Sequence, residues 1–209
     1  MEQHIDDKNN ILGPFAILIH LGLLIFGLVA GITGLLAGDY KRLAHTGFTV
    51  HSWLGMGLAA FAVVRLIIGI MGPRSVRFLR WMPFTPARIK LIVEDIAGLL
   101  KMRMPDRPTH QGLAGLVQTF GLTVFFFMAA TGAYLYFFLE PGQKARGFVH
   151  DVKELHEIGM VLIPMFLSLH VGAVVMHALR GNHIWKKIFF ISDTIGNRLK
   201  QPEAFSEKQ

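Results

Sequence analysis

The sequence predicts an all-α integral membrane protein: a four-helix up-down bundle with an amphipathic helix on the inner membrane surface between spans two and three. Three observations carry this. Of its 209 residues, 52% are hydrophobic, and the mean hydropathy of +0.45 is high for a soluble domain. Four apolar runs, residues 12–37, 48–71, 113–139 and 158–179, are each long enough to cross a hydrocarbon core about 30 Å thick. Lys and Arg are spread unevenly over the connections between those runs.

Residues 1–10 are polar and expected to fray. The first run lacks a basic leader and carries His20, so it reads as a retained span and not a cleaved signal. A short connection, 38–47, leads to the second run, which holds His51 and Arg65. The next connection, 72–111, opens on Gly72-Pro73 and contains Trp81, Pro83 and Pro86, which interrupt regular structure. Within it, Ile89, Ile92, Val93, Ile96, Leu99 and Leu100 follow helical spacing over residues 87–102, while Arg88, Lys90, Glu94, Asp95 and Lys101 fill much of the other face. This segment is expected to lie on the inner membrane surface, with a docking face for a partner as the alternative. A second outer connection, 140–154, precedes the last run. Beyond Arg180 the chain is basic and then polar, with Trp185 and Phe189-Phe190 suited to the interface. No internal repeat or low-complexity tract divides residues 1–209, which read as one domain.

Orientation follows from the loops. With both termini inside, the inner side carries fifteen Lys/Arg and the outer side five, a positive-inside bias. The expected location is a bacterial inner membrane, multi-pass, with cytoplasmic N- and C-termini. The net charge of +7 then belongs to inner loops facing anionic lipid, not to a nucleic-acid surface. Cysteine is absent, which excludes disulfides, cysteine-ligated iron–sulfur clusters and thioether haem attachment.

His20, His51, His156 and His170 lie in or at the edge of apolar runs, where an imidazole is costly without a partner. In an up-down bundle His20 and His170 fall toward the inner side, and His51 and His156 toward the outer. His156 and His170 are 14 residues apart, so on one helix they are separated by about 21 Å and point within about 40° of each other. Two bis-histidine haems, one above the other, would explain the pairing. Two ligands per level make a poor zinc site. Gly34 lies on the His20 face at the outer level, where a planar group can approach the backbone. Arg65, 14 residues beyond His51, lies level with the inner pair, and a buried guanidinium there needs an anion such as a haem propionate. The bland alternatives are interhelical hydrogen bonds for the histidines, close helix packing for the glycine, and a snorkelling arginine. No residue reads as a catalytic acid, base or nucleophile.

The stretches His51-Ser52-Trp53-Leu54-Gly55, Val64-Arg65-Leu66, Gly72-Pro73-Arg74 and Arg77-Phe78 resemble the second span of the bacterial cytochrome b561 family. This family includes the b-type cytochrome subunits of nickel–iron hydrogenases and formate dehydrogenases. Glu154-Leu155-His156-Glu157 and Leu169-His170-Val171 resemble its last span. The resemblance covers Ile11 to about Ile191. It implies two b haems ligated by His20, His51, His156 and His170, and electron transfer between a membrane quinone and a redox partner. In the formate dehydrogenase type the quinone lies beside the segment entering span three. The matching region is Thr109-His110-Gln111-Gly112, where the tyrosine–asparagine pair often found in that type is missing. His110 and Gln111 are thus candidate quinone residues, with His177, at the inner rim seven residues beyond His170, as a third. His4, His45, His150 and His183 read as surface residues, and Asp39, Glu140, Asp151, Glu154 and Glu157 as solvated outer charge or a face for a basic partner.

The expected function is transmembrane electron transfer between quinone and a periplasmic redox protein or catalytic subunit, as the membrane subunit of a redox complex. Two alternatives stay open. One is a free-standing oxidoreductase passing electrons from a small outer reductant, such as superoxide, to quinone. The other is a transporter or channel whose histidines relay protons.

Overall fold

The computed structural model describes residues 13–37, 46–73, 76–103, 105, 107, 110–139, 144–181 and 185. His4, Ile11, Asp39, His45, Arg74, Thr109, Glu140, His183, Phe189-Phe190 and Ile191, named above, lie outside the described residues. The helices are α1 (Gly13–Gly34), α2 (Thr46–Met71), α3 (Phe78–Trp81), α4 (Pro86–Leu100), α5 (Gly112–Phe138), α6 (Phe148–Glu157) and α7 (Gly159–Leu179). No strand occurs among the described residues. Four helical stretches are long and apolar enough to cross a membrane: Phe15–Gly34, Thr46–Met71, Gly112–Phe138 and Phe148–Leu179.

The chain divides into two compact units. In the unit made of Met1–Leu18 and Val171–Gln209, the described residues are chiefly the first turns of α1 and the last turns of α7. The larger unit, Ile19–His170, holds both expected histidine pairs. At its centre α5 packs against α2, α4 and α6. Ile19 and Leu23 of α1 pack with Leu58 and Ala62 of α2, and Phe125, Phe126 and Ala129 of α5 close over them.

Between helices in lipid, water supplies no hydrophobic drive, so close van der Waals fit must hold them together. Here that fit is aromatic-over-glycine. Phe61 of α2 fills the space where a Gly22 side chain would stand, and Phe26 of α1 does the same at Gly57. The two rings meet at 5.5 Å. Phe166 of α7 covers Gly121 of α5 in the same way. A methyl added at any of the three would collide with a ring. Outward-facing Leu18, Ile25 and Ile32 of α1, and Val63, Ile67 and Ile70 of α2, stay exposed. Such apolar surface suits hydrocarbon, not water.

One boundary departs from the sequence reading. The last span starts at Phe148, not at 158, so the expected outer connection is helical over nearly its second half. Polar residues end an apolar run without ending a helix. Lys153 pairs with Glu157 one turn on, and His150 with Glu154, a spacing that supports a helix. Pro164 sits inside α7, where it removes one backbone donor.

The amphipathic helix spans Pro86–Leu100, close to the expected 87–102. The Thr85 hydroxyl caps it by accepting from the Arg88 N–H, with Pro86 at its first turn. It ends with Arg103 N–H bonding Gly98 O and Met102 N–H bonding Leu99 O, around a left-handed Met102 (φ 58°). Ile89, Val93, Ile96 and Leu100 are exposed along one face. Asp95, expected on the polar face, is instead 4% exposed. Its Oδ2 accepts the Leu113 N–H at 2.8 Å, and its Oδ1 accepts Arg107 Nε–H at 2.6 Å. A buried carboxylate is tolerated when both oxygens are bonded and a cation is adjacent.

Candidate functional site

The structure brings the four histidines together in two pairs. His20 faces His170 with ring centroids 6.1 Å apart, and His51 faces His156 at 6.0 Å. Two bonds of about 2 Å from imidazole nitrogens to one metal, plus about 1 Å from each nitrogen to its ring centre, also reach about 6 Å. Among the described residues no group of three or more His, Cys, Asp or Glu forms that could hold a metal ion. Each level therefore offers two imidazoles, which suits a metal whose other positions are filled by a macrocycle.

At the level of His51 both rings are oriented from behind. His51 Nδ1–H donates to the Ala30 carbonyl at 2.9 Å. The Thr131 hydroxyl donates to the Phe127 carbonyl at 2.8 Å. Its one proton is used there, so its oxygen accepts from His156 Nδ1–H at 2.9 Å. Fixing Nδ1–H in this way leaves Nε2 with a free lone pair on both rings, the tautomer of a metal-bound histidine.

Two glycines make room for these rings. A Cβ at Gly34 would stand 3.3 Å from His51 Cε1, and one at Gly132 would stand 3.1 Å from His156 Cε1. Gly34, expected to admit a planar cofactor to the backbone, lies against the His51 imidazole. Thr131 and Gly132 escaped the sequence reading, because neither carries a local signal and both are recognisable only from the ring across the helix interface. Open space remains at Gly55, one turn beyond His51, where among the described residues nothing beyond the local α2 backbone lies within 4 Å of an added Cβ. At the other level Phe166 stacks on His170 with centroids 5.4 Å apart.

Arg65 is held between α2 and α3. Its Cζ lies 4.7 Å from the Phe78 ring centre and 6.0 Å from that of Trp81, both cation–π contacts. Its Nη1 is buried with no hydrogen-bond partner among the described residues. A buried guanidinium nitrogen without an acceptor is costly, so the site wants an anion that the described side chains do not supply.

Beside it, His110 has a left-handed backbone (φ 69°) and a ring 5.5 Å from that of Trp81. Its Nδ1–H donates to Gln118 Oε1. Burial pushes the imidazole below its ordinary value of 6.5; the Gln118 bond opposes this, and the Arg65 charge adds to it. His110 and Gln111 line one cavity of about 190 Å³ with Arg80, Trp81, Arg88 and Ile92. His177 lies on the last turn of α7, in the unit built from the chain's two ends.

No curated protein and no solved structure matches the chain. Two levels of opposed imidazoles inside apolar helices are nonetheless what a membrane cytochrome b requires. The sequence model of the prokaryotic cytochrome b561 family covers residues 11–190, a stretch that includes every histidine of both pairs, and the chain belongs to that family of multi-pass, b-haem electron-transfer proteins.

Proposed function

We propose that the chain holds two b haems, one on His20 and His170 and one on His51 and His156. They would carry electrons across a bacterial inner membrane between a periplasmic redox partner and membrane quinone, as the membrane subunit of a redox complex. The observation that carries this reading is the pair of imidazole contacts at 6.1 and 6.0 Å. When bound, haem supplies one-electron chemistry at iron. The protein's own part is placement. Ala30 and Thr131 hold the His51 and His156 rings by Nδ1, and Gly34 and Gly132 leave those rings space. Arg65 offers its unpartnered Nη1 to a haem propionate of the His20 level, which supports a lower cost for reduction there because reduction adds negative charge.

The positive-inside bias sets the His51 level toward the periplasm and the His20 level toward the cytoplasm. The exposed apolar face of α4 would then rest in the inner leaflet. Quinone would exchange electrons at the cytoplasmic end, its headgroup in the cavity lined by His110 and Gln111.

Pyridine haemochrome assays test the scheme. Wild type should yield two haems per chain. His51→Ala or His156→Ala should lose one spectral component, and His20→Ala or His170→Ala the other. One haem in the wild type, or the same component lost from both pairs, would refute it.

A further inference from the structure

The proposed quinone residue His110 does not sit in a regular element. It has a left-handed backbone just before α5, where a free chain would not hold it against Trp81. Asp95 of α4 bonds the chain on both sides of it: Arg107, three residues before, and Leu113, three residues after. The carboxylate is 4% exposed and lies hard against Gly112, where an added Cβ would overlap its Oδ2. Arg107 is braced a second time by Glu94 at 2.9 Å. The bonds to Asp95 and then Glu94 hold its guanidinium above its ordinary range.

We infer that Asp95 is a positioning residue for the quinone cavity: it ties Arg107 and Leu113 to α4 and so fixes His110 and Gln111 where a headgroup would meet them. The inference rests on the quinone reading for its function, though not for its geometry. It gives α4 a task beyond lying on the membrane. Ile92 and Arg88 of the same helix line the cavity, so α4 supplies both a wall and the clamp that shapes the opposite wall. Asp95 is 4% exposed and does not line the cavity, so it acts through the chain it holds and not on the headgroup.

The test uses the full-length, haem-loaded protein in lipid nanodiscs. Reoxidation of the dithionite-reduced protein is followed with tetramethyl-1,4-benzoquinone. Asp95→Ala should raise the half-saturating quinone concentration about tenfold while the limiting rate and both reduced haem bands stay near wild type. Asp95→Asn keeps an acceptor for Leu113 N–H but loses the charge facing Arg107, and should fall between. Glu94→Gln should change half-saturation less than either. Hydrogen–deuterium exchange across 107–118 should speed up in Asp95→Ala and be partly restored in Asp95→Asn. If Asp95→Ala fails to assemble with haem, Arg107→Gln carries the same test from the other side of the bond.

His110→Ala separates the two claims. If it leaves quinone kinetics at wild type, the quinone reading fails, and the exchange data alone decide the clamp. If His110→Ala weakens quinone use while Asp95→Ala changes neither half-saturation nor exchange, the clamp is overturned. A uniform fall in limiting rate with loss of haem bands in both Asp95→Asn and Arg107→Gln would also overturn it, marking Asp95 as a folding residue only.

Discussion

Replacing Thr131 by valine removes one hydroxyl and nearly nothing else, and that hydroxyl oxygen is the acceptor for His156 Nδ1–H at 2.9 Å. The α5 backbone ladder keeps its own bonds, because the hydroxyl only adds a second donor to the Phe127 carbonyl. The His156 N–H would then be left in a half-buried apolar setting with no acceptor, a cost of about 1–3 kcal/mol. Loss of a metal ligand's supporting hydrogen bond commonly weakens metal affinity about 10- to 100-fold, or about 1.4–2.7 kcal/mol, which agrees. Thr131→Val should therefore release the haem of the His51–His156 level about 10- to 100-fold more readily to an apoprotein acceptor, and leave the other level unchanged. Its midpoint potential should rise, since an imidazole without that bond donates less to ferric iron. Thr131→Ser should restore both properties. Equal haem retention and unchanged midpoints in Thr131→Val would refute the reasoning, and so would a change confined to the His20–His170 haem.

Other outcomes follow from the same geometry. Gly132→Ala places a Cβ 3.1 Å from His156 Cε1, so the ring must shift; haem at that level should be partly lost, read by haemochrome content, while Gly55→Ala, with open space around it, should retain more of it. Arg65→Leu should lower the midpoint of the His20–His170 haem in a redox titration and leave the other fixed; two unmoved midpoints would make Arg65 a packing residue alone. His110 is pushed below 6.5 by burial, so the folded protein binds its proton less readily than the unfolded chain. Its contribution to stability is full above about pH 6.5 and is lost as pH falls below that toward the folded value. Arg65 lies near the same imidazole, and Arg80 and Arg88 line its cavity. Thermal unfolding from pH 7.5 to pH 5 should show a smaller loss of stability in His110→Gln than in wild type.

The sequence by itself determined the all-helical membrane class, the four apolar segments and which histidines pair. Those properties are local: a run of apolar residues must satisfy its backbone internally in lipid, so it is helical, and helix geometry then converts a 14-residue spacing into depth and facing. The resemblance carried by His51-Ser52-Trp53 and Leu169-His170-Val171 named the family for the same reason, because the motifs lie within single spans. Tertiary structure alone decided what each ring leans on. The carbonyl of Ala30 that accepts from His51 is 21 residues away in sequence, and the hydroxyl that accepts from His156 is 25. Gly34 read as a place where a planar group approaches the backbone, and only the packed helices show that the His51 imidazole lies against it. Asp95 changed most. Helical spacing put it on a solvated face, but its burial depends on a guanidinium 12 residues on and a backbone N–H 18 residues on. A carboxylate's environment is set by the charges and donors the fold brings to it, and no periodicity in its own helix can report them.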